Sequence, residues 1–361
     1  MAFPAYANRQ SNPFNSLLYG PMEQRGIEVV EYAPRQMFWE RADIVHVHWP
    51  ETSINMPSGR KALWHGAKTL LLLGLTRLRG ARLIWTAHNL RSHENRHPIL
   101  EKLFWWVFDQ QIDGIISLSR ANLPLVRREH IFRRKVPMTV IRHGHFRDAY
   151  PGQVTRSEAR RHLGLVDSGW RLGCVGVIRR YKGIPELLGA WREFDLPEAH
   201  LLVAGRIHEP LLEQEIRSGA AQDGRIEFRP GMIDEKEMPY FISALDVMVL
   251  PYRAIFNSGS ALLALSFNVP VVLPKTAGML ELQEMVGSDW VYLYEGDFGP
   301  AVLHDIRAWY QNRKPAGEVS LADLNWDILA EQTISFYLEV MQKKATSFES
   351  MAEPVTDRQS A

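Results

Sequence analysis

Short apolar runs alternate along the chain with longer stretches in which apolar residues recur every three to four positions. The short runs are typical of strands buried on both faces of a parallel sheet, and the longer stretches of connecting helices. In the first part of the chain the pattern predicts strands at Ile27–Tyr32, Ile44–Val47, Arg82–Thr86, Gly114–Leu118 and Thr139–Arg142. Together they predict a doubly wound α/β domain.

A second series of strands follows a polar connector and a short helix near residues 157–163. Its predicted strands are Arg171–Gly176, His200–Ala204, Ile226–Arg229, Val247–Leu250, Val271–Leu273 and Trp290–Leu293. We therefore expect domains over 1–150 and 151–320, a C-terminal helix over 321–345 and a flexible tail over 346–361. Ligands of such sheets bind beyond the carboxyl ends of the strands, so we expect the two domains to face each other across a ligand-binding cleft.

The composition is that of an ordinary globular protein. The chain has 361 residues, of which 46% are hydrophobic and 23% charged, and the single cysteine, Cys174, fits a reducing compartment. The N-terminal segment lacks the pattern of a signal peptide, and no apolar stretch of 18 residues is present. We expect a cytoplasmic protein.

The near-neutral net charge conceals a difference between the two halves. Residues 1–150 contain 21 Lys and Arg against 12 Asp and Glu, which gives +9, and the remaining 21 against 29 give −8. A basic half indicates either an anionic partner, such as a membrane leaflet or nucleic acid, or simply a solvated surface.

Cations and glycine follow the first strand of the second domain, in the segment GVIRRYKGIPELL. Arg179, Lys182 and Gly183 lie just before a predicted helix, whose N-terminal N–H groups and dipole favour an anion. The segment predicts either a phosphate site or a basic surface turn.

Small polar residues follow a later strand at a loop-to-helix junction. Asn257, Ser258, Gly259 and Ser260 offer free N–H groups and little steric bulk, which suits a diphosphate, although they also suit simple helix capping. Because both segments follow strands of one α/β domain, together they predict a nucleotide-diphosphate site.

Histidines and carboxylates follow two strands of the first domain and suit general acid–base chemistry. The cysteine partners and the helical His-Glu-x-x-His spacing of common zinc sites are missing, so we expect no metal site here. Each of these residues also has a structural alternative. The candidates are His48, Glu51, His88, Asn89 and Glu94, with His145 after the last strand, where it lines the cleft or forms a hinge turn.

An apolar segment of the first domain is rich in basic residues. The run Leu70–Leu73 is flanked by Lys61, Lys68, Arg77, Arg79 and Arg82. Such a segment predicts either a surface that lies on anionic lipid or a helix of the core.

These motifs, in the order HVHWPE, TAHNLRSHENR, HGHFRD, GVIRRYKGIPELL, LPYRAIFNSGSALLALSFNVPVV and DWVYLYEGDF, resemble those of the GT-B glycosyltransferases. The resemblance covers the chain to about residue 340. It is greatest to family 94, the inverting β-mannosyltransferases of xanthan-type exopolysaccharide biosynthesis. It implies two Rossmann-like domains, a nucleotide-sugar donor that is GDP-mannose, and no metal or other cofactor. It also implies a polyprenyl-diphosphate oligosaccharide acceptor and peripheral attachment to the inner face of the cell membrane.

The resemblance also implies roles for the candidate residues. Arg179 and Lys182 would neutralise the departing diphosphate, residues 257–260 would hydrogen-bond it, and Glu295 would hold a ribose or sugar hydroxyl. Many retaining members carry two glutamates eight residues apart, but here those places hold Ile255 and Leu263, which favours inversion. The base would then be Glu94 or Glu51, with His88 as a further candidate.

Three rival functions are open at this stage. The donor can instead be UDP-glucose or UDP-glucuronic acid. A nucleotide-sugar epimerase or dehydrogenase would need a Gly-rich dinucleotide motif near the N-terminus, and the sequence has none. A non-enzymatic nucleic-acid-binding protein would explain the basic half, but no nucleic-acid-binding motif is present, so we expect no nucleic-acid partner.

Overall fold

The computed structural model of the protein describes residues 1–9, 12–33, 40–92, 96–132, 135–150, 152, 154–312 and 317–349. The chain divides into two compact units. The first contains Met1–Leu118, Leu123–Arg142 and the chain from Trp326, and the second contains Ser119–Asn122 and His143–Asn325. The sequence pattern predicts the boundary at residue 150. In the structure the boundary lies at residue 143, because residues 143–150 cluster with the second unit.

The first unit is built on a parallel sheet in the order β1-β2-β3-β4-β5. Its strands are β1 (Ala2–Phe3), β2 (Ile44–Val47), β3 (Arg82–Ala87), β4 (Gly114–Ser117) and β5 (Met138–Val140). The helices of the first unit that come before residue 143 are α1 (Phe14–Gln24), α2 (Gly59–Leu78), α3 (Pro98–Asp109) and α4 (Leu123–Glu129). The apolar runs that predicted β2, β3 and β4 are buried in this sheet, as both-sided burial requires.

The strand predicted over Ile27–Tyr32 is wrong. This segment runs beside β1 but makes only an isolated bridge, in which the Ala2 N–H donates to the Val30 carbonyl and the Tyr32 N–H donates to the Ala2 carbonyl. Its Glu31 carboxylate accepts three backbone N–H groups from residues 5–7 instead. The two-residue strand β1, which the apolar pattern did not predict, limits how far the ladder extends.

The second unit contains a parallel sheet in the order β11-β10-β9-β6-β7-β8. All six strands predicted here are present: β6 (Trp170–Val175), β7 (Ala199–Gly205), β8 (Ile226–Pro230), β9 (Val247–Val249), β10 (Val271–Pro274) and β11 (Val291–Tyr294). The helices are α5 (Arg156–His162), α6 (Ile184–Arg192), α7 (Pro210–Ala220), α8 (Met238–Ser243), α9 (Gly259–Ser266), α10 (Ala277–Val286) and α11 (Pro300–Asn312).

The strand order of the second sheet reverses between β6 and β9. From β6 the chain winds outward through β7 and β8, and it then returns to the other side of β6 to start β9. Connections from β6 and β9 therefore leave the sheet in opposite directions and open a crevice at their carboxyl ends, the usual ligand site of open α/β sheets.

The C-terminal helix α12 (Trp326–Glu349) packs on the first unit although it follows the second in sequence. Its Phe336, Tyr337 and Val340 share an apolar core with Tyr19 and Met22 of α1. The helix was predicted over 321–345, but a 3₁₀ turn at Ala322–Leu324 precedes it and its last residues extend into the predicted tail. Residues 350–361 of that tail lie outside the described residues.

None of the helices in the described part of the chain has the length and apolar character needed to cross a membrane.

Candidate functional site

Two loops of the second unit meet at the carboxyl ends of β6 and β9, where the strand order reverses. The Arg253 N–H donates to the Tyr181 carbonyl at 2.9 Å. Gly183 has φ +69° and lies directly against the Pro251 carbonyl, where a Cβ would overlap the carbonyl oxygen. Glycine is therefore required at position 183 for both its backbone conformation and its contact. The structure brings together the two segments predicted to hold a diphosphate.

Lys182 is a buried cation at this junction. It belongs to a 3₁₀ turn, Arg180–Lys182, and only 8% of it is exposed. Its Nζ lies 5.7 Å from the centroid of the Tyr252 ring, and in the described part of the chain no carboxylate pairs with it. Burial raises the pKa of the nearby Cys174 thiol to about 11, so that group does not supply a counter-charge at neutral pH.

Two helices begin at the same loops. Gly183 is the N-cap residue of α6, and Ser258 is the N-cap residue of α9, where its Oγ accepts a hydrogen bond from the Ala261 N–H at 3.1 Å. Capping, the structural alternative for Ser258, is therefore present. Burial also raises the pKa of Tyr252, the ring beside Lys182. Both helix N-termini remain suited to an anion.

Asn257 is held by a residue that the sequence did not single out. The Asn122 Nδ2 donates to the Phe256 carbonyl at 2.7 Å and to the Asn257 Oδ1 at 3.2 Å. Asn122 belongs to the short segment Ser119–Asn122, which clusters with the second unit, and Gly278 leaves room for its amide. A contact across 135 positions has no signal in the local sequence.

Arg179 and Glu295 differ in how they relate to these loops. Arg179 is half-buried and immediately precedes the 3₁₀ turn that carries Lys182. Glu295 follows β11, three strands away from β6, and is exposed. It accepts a hydrogen bond from the Lys275 Nζ at 2.6 Å, and this bond lowers the pKa of its carboxyl. Neighbouring strands lie about 4.8 Å apart, so Glu295 is about 14 Å from β6 across the sheet.

A buried carboxyl lies at the carboxyl end of β2 in the first unit. Glu51 belongs to the 3₁₀ turn Pro50–Ser53, with 6% exposed, and its Oε1 accepts a hydrogen bond from the Asn89 Nδ2 at 3.1 Å. Burial raises the pKa of Glu51 to about 7, and the Asn89 bond opposes that rise. A carboxyl with this pKa is a stronger base than an exposed glutamate and is still ionised near neutral pH.

Four buried rings form a hydrogen-bonded chain beside this edge. His88 Nε2 is 3.0 Å from His48 Nδ1, and His48 Nε2 is 2.6 Å from the Tyr19 hydroxyl, which is 3.1 Å from His46 Nδ1. Burial lowers the pKa of His46 to about 3 and that of His48 well below its usual value. Both imidazoles are therefore neutral and serve to fix the orientation of His88.

Three further predictions concern residues away from these groups. Glu94, a candidate base, lies outside the described residues. His145, predicted with the first domain, belongs to the second unit, where its N–H donates to the Leu324 carbonyl at 3.1 Å. No cluster of three or more His, Cys, Asp or Glu among the described residues is arranged to hold a metal ion.

The sequence matches known proteins over most of its length. Residues 169–312, most of the second unit, match the family described as glycosyl transferases group 1. The chain is 32% identical over 341 residues to the GDP-mannose:glycolipid 4-beta-D-mannosyltransferase of Xanthomonas campestris pv. campestris, covering 93% of this chain and 90% of that protein. The chain belongs to the glycosyl transferases group 1 family.

A more distant relative and a solved structure are also similar to this chain. The lipopolysaccharide core biosynthesis mannosyltransferase LpsB of Rhizobium meliloti is 25% identical over 250 residues, covering 66% of this glycosyltransferase and 65% of LpsB. The structure of Anabaena HepE in complex with UDP-glucose superposes with a TM-score of 0.59 at 17% identity, covering 92% of this chain and 88% of HepE. The protein is a nucleotide-sugar-dependent glycosyltransferase with the GT-B fold.

Proposed function

We propose that this glycosyltransferase moves mannose from GDP-mannose to a polyprenyl-diphosphate-linked oligosaccharide, with inversion, during exopolysaccharide assembly. The relative from Xanthomonas, whose name specifies GDP-mannose and a glycolipid, supports this donor and acceptor at 32% identity over nearly the full length. Transfer from UDP-glucose or UDP-glucuronic acid is the alternative, since a diphosphate site alone accepts any of these donors.

The burial of Lys182, with no carboxylate partner among the residues that the structure describes, is the observation that carries the proposal. An unpaired buried cation is unfavourable in the free protein, and an anion bound beside it recovers that energy. The α6 and α9 N-termini and the half-buried Arg179 favour the same ligand charge. Together they suit the diphosphate of a sugar nucleotide at the crevice between β6 and β9.

These groups also support catalysis without a divalent metal. Negative charge develops on the diphosphate as the bond to the anomeric carbon breaks, and fixed cations and N–H groups stabilise it. Lys182 and Arg179 supply the positive charge that a metal ion supplies in other transferases. Residues 257–260 supply hydrogen-bond donors to the departing diphosphate.

Glu51 is the proposed general base for the acceptor hydroxyl. Its pKa of about 7 lets it accept a proton at neutral pH, and the Asn89 amide fixes one of its oxygens. Inversion needs one in-line displacement: the acceptor oxygen bonds to the anomeric carbon, the carbon–oxygen bond to the diphosphate breaks, and the hydroxyl proton passes to the base. His88 and Glu94 remain the alternative bases.

We further propose that the first unit attaches to the inner face of the cell membrane through the outer face of α2 and α3. On α2, Trp64, Leu71, Leu75 and Leu78 are exposed at helical spacing, and Ile99, Leu103 and Trp106 of α3 are exposed in the same way. Leu73, by contrast, is fully buried, so the leucine run contains a core residue as well as the exposed Leu71.

The charges beside this apolar face favour anionic lipid. Arg60, Lys61, Lys68, Arg79 and Lys102 are exposed on α2 and α3 or at their ends. Between residues 52 and 128, the carboxylates that the structure describes, Glu101, Asp109 and Asp113, are all buried. Apolar residues flanked by cations without exposed carboxylates are typical of helices that lie in a membrane interface.

A donor screen tests the main proposal. Purified protein is incubated with GDP-mannose, UDP-glucose or UDP-glucuronic acid and a short prenyl-diphosphate glycan, with and without EDTA. We expect transfer from GDP-mannose alone, unchanged by EDTA, and a β linkage in the NMR spectrum of the product. Preference for a UDP-sugar, an α linkage, or loss of activity in EDTA would each contradict the corresponding part of the proposal.

Lys182→Ala tests the diphosphate site, with Arg180→Ala as its matched control in the same turn. Arg180 is exposed and pairs with Glu215 at 2.9 Å, so its loss should leave turnover unchanged. Loss of Lys182 should lower kcat about 100-fold, because stabilisation of the leaving group is lost in the transition state. Equal rates for the two variants in steady-state assays would reject the site.

Glu51→Gln should lower transfer about 1000-fold, the range for loss of a general base, while calorimetry still detects donor binding.

The Glu51→Gln variant should also change how the stability of the fold depends on pH. Since the folded pKa of Glu51 is about 7, above that of an unfolded glutamate, ionisation destabilises the fold as pH rises from about 4.5 to 7. Urea unfolding should show the variant more stable by about 3 kcal/mol at pH 8 and not at pH 5. An equal effect at both pH values would contradict a raised carboxyl pKa.

Charge reversal at Lys61 and Lys68 tests the membrane surface. The double Glu variant should lose at least about tenfold in partition onto vesicles that contain anionic lipid, since each cation near such a surface contributes about 1 kcal/mol. Trp64→Ser should also weaken binding. Leu211→Ser, at an exposed leucine of α7, is the control, and all variants should keep their activity on a short water-soluble acceptor. Unchanged partition would place the attachment elsewhere.

A further inference from the structure

A buried aspartate–histidine pair lies beneath the loop that carries Asn89. Asp109 ends α3 and His130 follows α4, and no more than 3% of either side chain is exposed. His130 Nδ1 is 3.0 Å from Asp109 Oδ1, and Asp109 Oδ2 accepts a hydrogen bond from the Ile131 N–H at 3.0 Å. The carboxylate is therefore fixed from both sides, and it in turn fixes the imidazole.

The other ring nitrogen of His130 holds the backbone of the loop. His130 Nε2 is 3.1 Å from the Leu90 carbonyl oxygen, which can only accept, so Nε2 carries the hydrogen. The rings of Trp85 and Trp105 pack on the imidazole, with centroids 4.9 and 4.8 Å away, and keep it from turning. The ring therefore lies between the Asp109 carboxylate on its Nδ1 side and the Leu90 carbonyl on its Nε2 side, with both oxygens within hydrogen-bond distance.

The Leu90 carbonyl lies next to the residue that contacts the proposed base. Asn89 precedes Leu90, and its Nδ2 donates to Glu51 Oε1. On the far side of Leu90, the Ser92 N–H donates to Glu101 Oε1 at 2.7 Å. The nearby charged groups Arg91 and Glu129 pair with each other at 3.0 Å. The His130 bond thus anchors the backbone one position after Asn89, and the His48–His88 bond anchors the residue before it.

We propose that Asp109 and His130 are positioning residues, in which Asp109 orients the His130 ring so that its Nε2–H holds the Leu90 carbonyl and keeps Asn89 on the Glu51 carboxylate. Neither residue contacts substrate in this scheme. The inference rests on the proposed function, because it assigns the pair a role in setting the state of the base. The effect of the pair on the titration of the Glu51 carboxyl holds whether or not Glu51 is the base.

Two variants separate the positioning role from packing. In Asp109→Asn, the new amide can donate to ring Nδ1 while Nε2–H stays on Leu90, so the anchor is retained. In the double variant Asp109→Asn/His130→Phe, the phenyl ring fills the space between the tryptophans but donates no hydrogen bond. The measurements are the acidic limb of kcat against pH and the ¹³C titration of the Glu51 carboxyl.

We expect the double variant to move both the acidic limb of kcat and the Glu51 titration up by about one pH unit, since a hydrogen bond to the carboxylate is lost. Asp109→Asn should stay near the wild type, and KM for the donor should be unchanged in both. Asn89→Ala should produce the same shift, without adding to that of the double variant. In the wild type, the ¹⁵N spectrum should show a protonated Nε2 on His130.

Four results would overturn the inference: no movement of the Glu51 titration in the double variant, equal movement in Asp109→Asn, a shift that adds to that of Asn89→Ala, or an unprotonated Nε2. The spectrum and the single variant keep the test decisive if the double variant does not fold. Failure of the proposed base is distinguishable, because the Glu51 titration would then move in Asn89→Ala while the kcat limb stays in place.

Discussion

The burial of Lys182 at the reversal of strand order is the constraint on which the rest of the second unit depends. The loops after β6 and β9 can enclose the side chain only because Gly183 has no Cβ and its backbone is left-handed, which lets it touch Pro251. The Tyr252 ring then provides a favourable surface for the ammonium without neutralising it. A cation held in this way is stable in the fold but remains available to an anionic ligand.

The first unit contains a buried group of the opposite charge, which also lacks an ion-pair partner among the described residues. Glu51 is buried at the end of β2, and its partner is a neutral amide rather than a cation. Lys182 and Glu51 are thus both buried without an oppositely charged partner among the described residues, whereas structural charges such as Arg160 and Asp246 pair with each other at 2.8 Å. This contrast distinguishes the proposed catalytic groups from the many charged residues of the chain better than exposure alone.

The sequence predicted the elements that depend on local pattern and not the contacts between distant segments. Apolar runs identified all six strands of the second sheet, although the edge strand β8 is only partly buried, and the strand ends then pointed to Lys182, Gly183 and Glu51 as candidates. The Ile27–Tyr32 prediction failed because an apolar run does not reveal whether its partner strand is long enough to form a ladder. Asn122 and His130 were missed because their partners, Asn257 and Leu90, lie 135 and 40 positions away.

In the proposed function, the charge difference between the two halves of the chain bears on both membrane attachment and nucleotide binding. An acidic second half is repelled by an anionic leaflet that attracts the basic first half, so the face of α2 and α3 is favoured for contact with lipid. Under the proposed function, the same acidic half nevertheless binds an anionic nucleotide. Screening resolves this conflict, because at physiological salt, charges more than about 8 Å away are largely screened in solvent, whereas a buried cation in contact with the ligand is not. Under the proposed function, Lys182 therefore outweighs the net negative charge of this half only for a phosphate that enters the crevice, which restricts anion binding to that place.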